Sequence, residues 1–368
     1  MRILFLANHD VGLYRFRKEL ISELLNNNEV FLSLPKGEFV ECLTKMGCHF
    51  IETNIARHGT NPLKELKLLR FYKRIIKKIR PEIVLTYTIK PNVYGGIACS
   101  RLKVPYISNV TGLGNSIENK GFLQRITLSL YKKGLRNAYC VFFQNEQNMN
   151  FMIAKKIIKG NFVLLPGSGV NLEENSYEEY PDQSDSIVFV TIGRIMKEKG
   201  IDELLAAAAI IKSEYNNITF KVIGAFDGAH ESIINNAVQK HLIEYLGHRN
   251  DVHDIIKKSH ATIHPSYHEG TSNVLLETAA CGRPILASNV PGCNNTFDEQ
   301  SGISFEPKDV DSLVSAIKTF ILLPYEKKRQ MGIMGRKKME KEFDRRIVIN
   351  EYISQINKVK KEKYNETL

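Results

Sequence analysis

The sequence predicts an α/β protein of two similar domains, each holding a parallel sheet covered by helices. Apolar strand-like runs alternate with amphipathic helix-like stretches, and the alternation restarts after a break near residues 166–186. The 368 residues also suit two domains of about 100–200 residues each. Strands that alternate with helices favour parallel pairing, because each helix carries the chain back across the sheet.

The first half of the chain contains five predicted strands and four predicted helices. The predicted strands are Ile3–Ala7, Val30–Leu34, Ile83–Thr86, Tyr106–Asn109 and Val141–Phe143. The predicted helices are Tyr14–Leu25, Pro62–Ile79, Tyr94–Arg101 and Phe122–Leu135. The apolar start of the chain is typical of a buried strand and not of a signal peptide, because no small-residue cleavage site follows it.

A second series begins after the Pro166–Gly169 turn and an acidic, polar stretch over residues 173–185. Its predicted strands are Ser186–Ile192, Phe220–Ile223, Ile243–Leu246, Ala261–His264, Pro284–Ser288 and Gly302–Phe305. Its predicted helices include Ile201–Tyr215 and Val274–Cys281, and a basic helical stretch follows from Pro324. Ligands of such sheets bind beyond the carboxyl ends of the strands, so the loops there are the candidate site.

The composition is that of an ordinary globular protein, with 43% hydrophobic and 25% charged residues. We expect no transmembrane helix, because no apolar run reaches about 18 residues. The six cysteines, Cys42, Cys48, Cys99, Cys140, Cys281 and Cys293, form no CxxC pair. We therefore expect reduced thiols and neither a disulfide framework nor a zinc site.

The net charge of +11 is concentrated in the first half of the chain. Residues 1–170 contain 26 Lys and Arg against 11 Asp and Glu, whereas residues 171–368 contain 25 against 29. This asymmetry indicates an anionic partner for the first half, such as nucleic acid, phospholipid or a lipid diphosphate.

Two predicted helices carry much of this positive charge. In residues 64–80, the apolar positions Leu66, Leu69, Tyr72, Ile76 and Ile79 share one face, and seven cations fill most of the remainder. The second helix combines Phe122, Leu123, Leu128 and Tyr131 with Arg125, Lys132 and Lys133. Such helices can pack on a sheet and present cations to anionic lipid, although an ordinary solvated face is an equal alternative.

The segment Gly193–Gly200 is the first candidate for chemistry. It follows a predicted strand and opens a predicted helix, where free backbone N–H groups favour an anion. Arg194 and Lys199 add two positive charges, which a departing diphosphate requires. The alternative is a solvated loop with two ordinary surface cations that bind no ligand.

The segment Glu269–Glu277 is the second candidate. Glu269 can reach a ligand from the loop, and Glu277 from about one turn inside the following helix. Gly270 allows close approach of the backbone, and the amides of residues 271–274 at the helix start suit phosphate oxygens. A capped helix with two unrelated acids is the alternative, since acids are favoured near helix starts.

These motifs, in this order, resemble the signature of the family-4 retaining glycosyltransferases. The resemblance covers Glu-x7-Glu with the Ala-Ala-Cys-Gly-Arg-Pro run after it, and the Gly193-Arg194 and Lys199-Gly200 pairs. Residues 245–252 resemble the family's segment near the nucleobase, and residues 166–171 resemble its entry into the second domain. The match extends over most of residues 160–310.

The resemblance implies a GT-B fold, in which two Rossmann-like domains face each other across a cleft. Residues 1–168 would form the acceptor-side domain and residues 169–345 the nucleotide-sugar-binding domain. Residues 346–368 would form a helix that returns to the first domain.

The resemblance also implies roles for the donor-site residues. Arg194 and Lys199 would bind the diphosphate, Glu277 the ribose hydroxyls and Glu269 the transferred sugar. The remaining predicted donor-binding residues are Gly12, Arg249, Gly270, Thr271, Ser272, Asn273 and Val274. Glu269, Arg194 and Lys199 would be the catalytic residues, without a dedicated nucleophile, a metal or a cofactor.

The acceptor-side candidates follow the predicted strands of the first half. They are His9, Asp10, Lys90, Thr111 and Gly112, the last two in a predicted loop that runs to Gly114. His9 has a structural alternative, because histidines are often simply part of the packing.

A narrower resemblance is to bacterial transferases that extend undecaprenyl-diphosphate-linked sugars, such as N-acetylgalactosaminyltransferases. It implies transfer of a hexose or N-acetylhexosamine from a UDP-sugar to a lipid-linked saccharide in polysaccharide synthesis. The enzyme would then be cytoplasmic and peripheral to the membrane, with no nucleic-acid partner. The alternatives are a GT-B nucleotide-sugar epimerase and a non-enzymatic protein that binds anionic membranes or nucleic acid.

Two other patterns do not predict a site. Asp309-Val310-Asp311 has the DxD form of metal-dependent transferases, but its acids suit the start of the next helix. No GxGxxG follows the first strand, which disfavours a dehydrogenase.

Overall fold

The structure is a computed structural model, and it describes residues 1–54, 61–112, 121–183, 186–228 and 230–365. The chain divides into two compact units. The first unit comprises Met1–Ser168 together with Val348–Leu368, and the second comprises Gly169–Ile347.

The first unit contains a seven-stranded sheet of order β3-β2-β1-β4-β5-β6-β7, in which every pairing is parallel. Its strands are β1 (Arg2–Leu6), β2 (Glu29–Leu34), β3 (His49–Glu52), β4 (Ile83–Tyr87), β5 (Tyr106–Val110), β6 (Cys140–Phe143) and β7 (Asn161–Leu164). Its helices are α1 (Asp10–Leu25), α2 (Val40–Lys45), α3 (Pro62–Ile79), α4 (Gly96–Leu102), α5 (Phe122–Leu135) and α6 (Glu146–Ala154). A π-helical turn, Pro91–Gly95, precedes α4.

Both faces of this sheet are buried, which explains the continuous apolar strands. In β1, Ile3 and Phe5 lie in a core shared with α1, whereas Leu4 and Leu6 lie in a core shared with α3. Successive side chains of a strand point to opposite faces, so helices on both sides require apolar residues at every position.

The second unit contains a six-stranded parallel sheet of order β10-β9-β8-β11-β12-β13. Its strands are β8 (Ile187–Ile192), β9 (Ile218–Ile223), β10 (Glu244–Tyr245), β11 (Ala261–His264), β12 (Ile285–Ser288) and β13 (Gly302–Phe305). Its helices are α7 (Ile201–Glu214), α8 (Glu231–Gln239), α9 (Val252–Ile256), α10 (Asn273–Ala280), α11 (Val310–Leu322) and α12 (Tyr325–Lys338), followed by the π-helical turn Met339–Phe343.

The last helix, α13 (Arg345–Asn365), contributes to the core of the first unit. Val348, Tyr352, Ile356 and Val359 are buried there, and the Tyr352 hydroxyl donates a hydrogen bond to Asn109 Oδ1. The buried guanidinium of Arg17 lies over the ring of Tyr352 and over a second tyrosine ring of β4. The core of the first unit therefore includes residues from the end of the sequence.

The predicted fold class is confirmed, and most of the predicted strands agree with the structure to within one or two residues. In the first unit the sequence analysis missed β3, β7, α2 and α6, and it placed the start of the Tyr94–Arg101 helix inside the π-helical turn. It was also wrong about α3, where Leu66 is 43% exposed while Leu68 and Ile75 are buried.

Two composition-based expectations concern the whole chain. All six cysteines lie in the described residues and are free thiols. Among the described residues, no helix is long and apolar enough to span a bilayer.

Candidate active site

The loops that follow β8 and β11 lie side by side in the second unit, because these strands are paired neighbours in a parallel sheet. The β8 loop runs from Gly193 through a 3₁₀ turn, Lys197–Lys199, to Gly200 at the start of α7. The backbone N–H of Tyr267, in the β11 loop, donates to the carbonyl of Glu198 at 3.0 Å. The two predicted motifs therefore meet at the carboxyl edge of this sheet.

Gly200 is the position where the two loops come closest. Its φ of +69° lies in the left-handed region, and a Cβ there would lie 2.0 Å from the carbonyl oxygen of Pro265. Only glycine avoids both the backbone strain and this overlap.

An acid–base cluster lies where the loops meet. Lys199 Nζ lies 2.5 Å from Glu269 Oε1, and His264 Nε2 lies 2.9 Å from the same oxygen. Burial raises the pKa of the Glu269 carboxyl. The hydrogen bond and charge of His264, together with those of the Lys199 ammonium, lower this pKa by more than burial raises it. The pKa of Glu269 is therefore held well below its usual range, and the carboxylate stays ionised.

The start of α10 is fixed by the loop that follows β12. The backbone N–H of Ser272, the N-cap residue, donates to the carbonyl of Gly292 at 2.9 Å. Gly292 has a φ of +82°, and a Cβ there would lie 2.6 Å from the Glu269 carbonyl oxygen. Thr271 and Ser272 are buried, and Gly270 and Val274 are half-buried. The hydrogen bond and this burial together hold the N-terminus of α10 in place.

Glu277 and Asn273 lie four residues apart on α10, so they share one side of the helix. Both are half-buried, whereas Leu275, Leu276 and Thr278 are buried against the unit. Within the described part of the chain, Asn273 Oδ1 is buried and accepts no hydrogen bond. This side of α10 therefore carries a carboxylate and a buried amide oxygen.

The two predicted donor-site arginines are each paired with an aspartate. Arg194 follows β8 and forms an ion pair with Asp227, which lies in the loop after β9. Arg249 follows the edge strand β10, and its guanidinium makes two hydrogen bonds with the Asp251 carboxylate, at 2.6 and 2.8 Å. Both pairs are about half exposed, so an incoming phosphate group can compete for these cations.

In the first unit, the loop after β1 is organised by its own side chains. His9 is the N-cap of α1, and its Nδ1 accepts the backbone N–H of Gly12 at 3.0 Å. Asp10 is buried, and its carboxylate accepts the backbone N–H groups of Val11 and Phe39. Both side chains fix the loop, and their predicted acceptor contacts stay predictions.

Lys90 lies beyond the end of β4, and its ammonium lies 2.7 Å from Glu65 Oε1 of α3. Thr111 and Gly112 directly follow β5 and are half-buried. The rest of the predicted loop, Leu113 and Gly114, lies outside the described residues.

A cavity of about 870 Å³ lies against α3 in the first unit. Among the described residues, the charged side chains of its lining are Glu52, Lys64, Glu65, Lys67, Arg70, Arg74 and Lys90. Five cations against two carboxylates make this cavity suitable for an anionic group.

The DxD pattern is structural, as predicted. Asp309 is the N-cap of α11, and its Oδ1 accepts the backbone N–H of Ser312 at 2.9 Å. Within the residues that the structure describes, no three acidic, histidine or cysteine side chains form a metal-binding group.

Three residues of the site were missed by the sequence analysis: Asp227, His264 and Gly292. Asp227 and Gly292 lie in loops without a strong motif, and only their tertiary contacts reveal them. His264 was recognised as the end of a strand, and its position five residues before Glu269 was the available signal.

Two protein-family models match the chain. Residues 2–145 match "Glycosyl transferase 4-like", and residues 173–338 match "Glycosyl transferases group 1". Together these matches include most of both units and all the predicted donor-site residues.

Curated relatives match over similar lengths. A Campylobacter jejuni N,N'-diacetylbacillosaminyl-diphospho-undecaprenol α-1,3-N-acetylgalactosaminyltransferase is 26% identical, with 98% of this chain and 99% of that protein covered. An Escherichia coli UDP-Gal:α-D-GlcNAc-diphosphoundecaprenol α-1,3-galactosyltransferase is 25% identical, with 80% and 81% covered.

Solved structures have the same fold. Sucrose-phosphate synthase from Thermosynechococcus elongatus has a TM-score of 0.78 at 19% identity, with 97% of this chain and 98% of that one covered. HepE from Anabaena, solved with UDP-glucose, has a TM-score of 0.78 at 17% identity, with 97% and 99% covered. These matches, with the two parallel sheets and the loops at β8 and β11, show that the chain belongs to the family-4-like, group 1 glycosyltransferases of GT-B fold.

Proposed function

We propose that this glycosyltransferase moves a hexose or N-acetylhexosamine from a UDP-sugar to an undecaprenyl-diphosphate-linked saccharide, with retention of configuration and without a metal. This proposal rests above all on the contact between the Lys199 ammonium and the Glu269 carboxylate, in the loop that leads into α10. A cation for phosphate and a carboxylate for sugar hydroxyls are thereby brought together. The names of the Campylobacter and Escherichia coli relatives support the lipid-linked acceptor, and the latter supports a UDP-sugar donor.

The chemistry follows from these charges. The bond between the anomeric carbon and the diphosphate oxygen breaks, and a bond from that carbon to the acceptor oxygen forms on the same face. Arg194, Lys199 and the N-terminus of α10 stabilise the charge that develops on the diphosphate. The acceptor hydroxyl proton passes to the departing phosphate oxygen, so the protein supplies neither a nucleophile nor a metal.

The proposed UDP-sugar site is tested with purified protein, a panel of UDP-sugars and a lipid-diphosphate-linked acceptor in EDTA. Arg194→Ala and Glu277→Gln should each lower kcat/KM by about 10²-fold, because each removes a contact to the nucleotide or its leaving group. The matched controls are Arg329→Ala and Glu299→Gln, both in the second unit and outside the proposed site. Wild-type turnover in both site variants would overturn the assignment.

The same assay separates the alternatives. Nuclear magnetic resonance of the product should show the anomeric configuration of the donor sugar, and an inverted product contradicts retention. A sugar nucleotide altered without acceptor would indicate an epimerase. Salt-sensitive nucleic-acid binding without sugar turnover would indicate a non-enzymatic protein.

The proposed acceptor site is the cavity against α3. Its volume of about 870 Å³ is in the range of ligand sites, and its excess of cations suits a diphosphate. Lys90 is paired with Glu65 in this lining, and Lys64, Lys67, Arg70 and Arg74 supply the excess of positive charge. Arg70→Glu and Arg74→Glu should raise the KM for the acceptor by more than tenfold while the KM for the UDP-sugar stays constant.

The proposed membrane contact is the exposed side of the same helix. Lys77 and Lys78 are exposed and do not line the cavity, and Leu63 is 71% exposed near the helix start. Each cation near an anionic surface contributes about 1 kcal/mol. Lys77→Glu/Lys78→Glu should therefore weaken binding to phosphatidylglycerol vesicles by roughly 30-fold or more, while turnover of a detergent-solubilised acceptor stays unchanged. Unchanged vesicle binding would refute the membrane contact.

A further inference from the structure

His264 has no role in the proposed function, yet it lies at the centre of the donor-site cluster. It is the last residue of β11, and its side chain is only 5% exposed. Its Nε2 lies 2.9 Å from Glu269 Oε1 and 3.1 Å from Ser272 Oγ. One imidazole proton therefore faces a carboxylate and a hydroxyl, and the carboxylate is the stronger acceptor.

The two oxygens of Glu269 have different surroundings. Oε1 accepts from both Lys199 Nζ and His264 Nε2. No donor to Oε2 occurs among the residues that the structure describes. The carboxylate is thus held by one oxygen, and its other oxygen is available for a ligand hydroxyl.

Lys199 and His264 are not equivalent as donors. The Lys199 side chain is 23% exposed, and its ammonium carries three N–H groups on a flexible stem. A bound diphosphate carries more negative charge than a carboxylate and draws this ammonium toward itself. His264 lies on a strand and is buried, and no second charged partner of its ring occurs in the part of the chain that the structure describes. Its hydrogen bond therefore persists when Lys199 turns to the phosphate.

We propose that His264 is a positioning residue that holds Glu269 by Oε1, so that Oε2 meets a hydroxyl of the transferred sugar. His264 itself touches neither sugar nor nucleotide. This inference rests on the proposed function, in which Glu269 contacts the sugar of the UDP-sugar. It assigns part of the affinity for the sugar of the UDP-sugar to His264, acting through the Glu269 carboxylate.

The test compares the affinities for UDP and for UDP-sugar, together with kcat and KM. His264→Leu removes the donor, whereas His264→Gln retains an N–H at the place of Nε2. His264→Leu should lower kcat and weaken UDP-sugar binding by about ten- to hundred-fold, and leave UDP binding within about twofold. His264→Gln should restore both values to within about threefold of wild type.

Glu269→Gln serves as the reference variant. Both substitutions disrupt the same contact, between His264 and Glu269. The double variant Glu269→Gln/His264→Leu should therefore lose little more UDP-sugar affinity and kcat than Glu269→Gln alone. If the leucine variant does not fold, His264→Asn replaces it, since its shorter amide does not reach the carboxylate.

The outcomes separate this inference from the proposed function. Wild-type activity in Glu269→Gln overturns the site assignment on which both depend. A damaged Glu269→Gln with an unimpaired His264→Leu overturns the inference alone. Equal losses of UDP and UDP-sugar binding in His264→Leu, without rescue by glutamine, indicate a merely structural histidine and also overturn it.

Discussion

Acidification should destabilise the second unit through His260, which precedes β11. Its Nδ1 accepts the backbone N–H of Val188 at 3.0 Å, so the ring must be unprotonated on that nitrogen. The side chain is 8% exposed, and Lys328 and Arg283 lie nearby. Burial, followed by these two positive charges, lowers the pKa of His260 from 6.5 to about 4.

The lowered pKa of His260 determines how the free energy of unfolding changes with pH. The unfolded chain binds the proton more readily, so stability is lost as the pH falls from about 6.5 towards 4. The full lowering of the pKa corresponds to about 3 kcal/mol, at about 1.36 kcal/mol for each unit of pKa. Partial hydration of the imidazolium reduces this, and we expect a loss of about 1.5–3 kcal/mol between pH 7.5 and 4.5.

The assay is urea unfolding by circular dichroism, because the chain contains no tryptophan. His260→Asn retains an acceptor oxygen at the place of Nδ1 but does not titrate. Its free energy of unfolding should therefore fall by about 1.5–3 kcal/mol less than that of the wild type over this pH range. His241→Asn, at an exposed position of the same unit, should retain the wild-type pH dependence. Parallel pH profiles for wild type and His260→Asn would refute the reasoning.

Three further substitutions test contacts of the fold and the site. Gly200→Ala should destabilise the protein by more than about 2 kcal/mol in urea unfolding, because left-handed strain adds to a backbone overlap; a smaller loss would mean that the loop relaxes. Tyr352→Phe should lower the free energy of unfolding by about 1–2 kcal/mol, since Asn109 loses a buried donor; an unchanged midpoint contradicts this. Asp227→Asn should raise UDP affinity about two- to fivefold in calorimetry by releasing Arg194, and weaker binding would show that the pair orients the arginine.

The sequence was most informative where strands are buried on both faces. β1, β4 and β5 are apolar over most of their length, and a parallel sheet between helices requires that pattern. The missed strands β3 and β7 lie at the two edges of the first sheet, and none of their residues is fully buried. Edge strands carry a weaker apolar pattern, because one side of each is unpaired.

The site was predictable to the extent that it is encoded in local motifs. Gly193–Gly200 and Glu269–Glu277 each follow a strand, so their place at the carboxyl edge could be derived from the order of elements. The contact of Lys199 with Glu269 joins residues 70 positions apart, and that of Arg194 with Asp227 joins residues 33 apart. Such pairs depend on which strands become neighbours, which the periodicity of one strand does not indicate.

The contribution of α13 to the first unit has a consequence for biosynthesis. Tyr352 and Asn109 are 243 residues apart in the chain, so their contact can form only after the whole of the second unit has been synthesised. The second unit is continuous, from Gly169 to Ile347, and its core is complete once residue 347 has emerged. The unit whose synthesis begins first therefore acquires its full core last, and until then the apolar surface that α13 covers is open to aggregation.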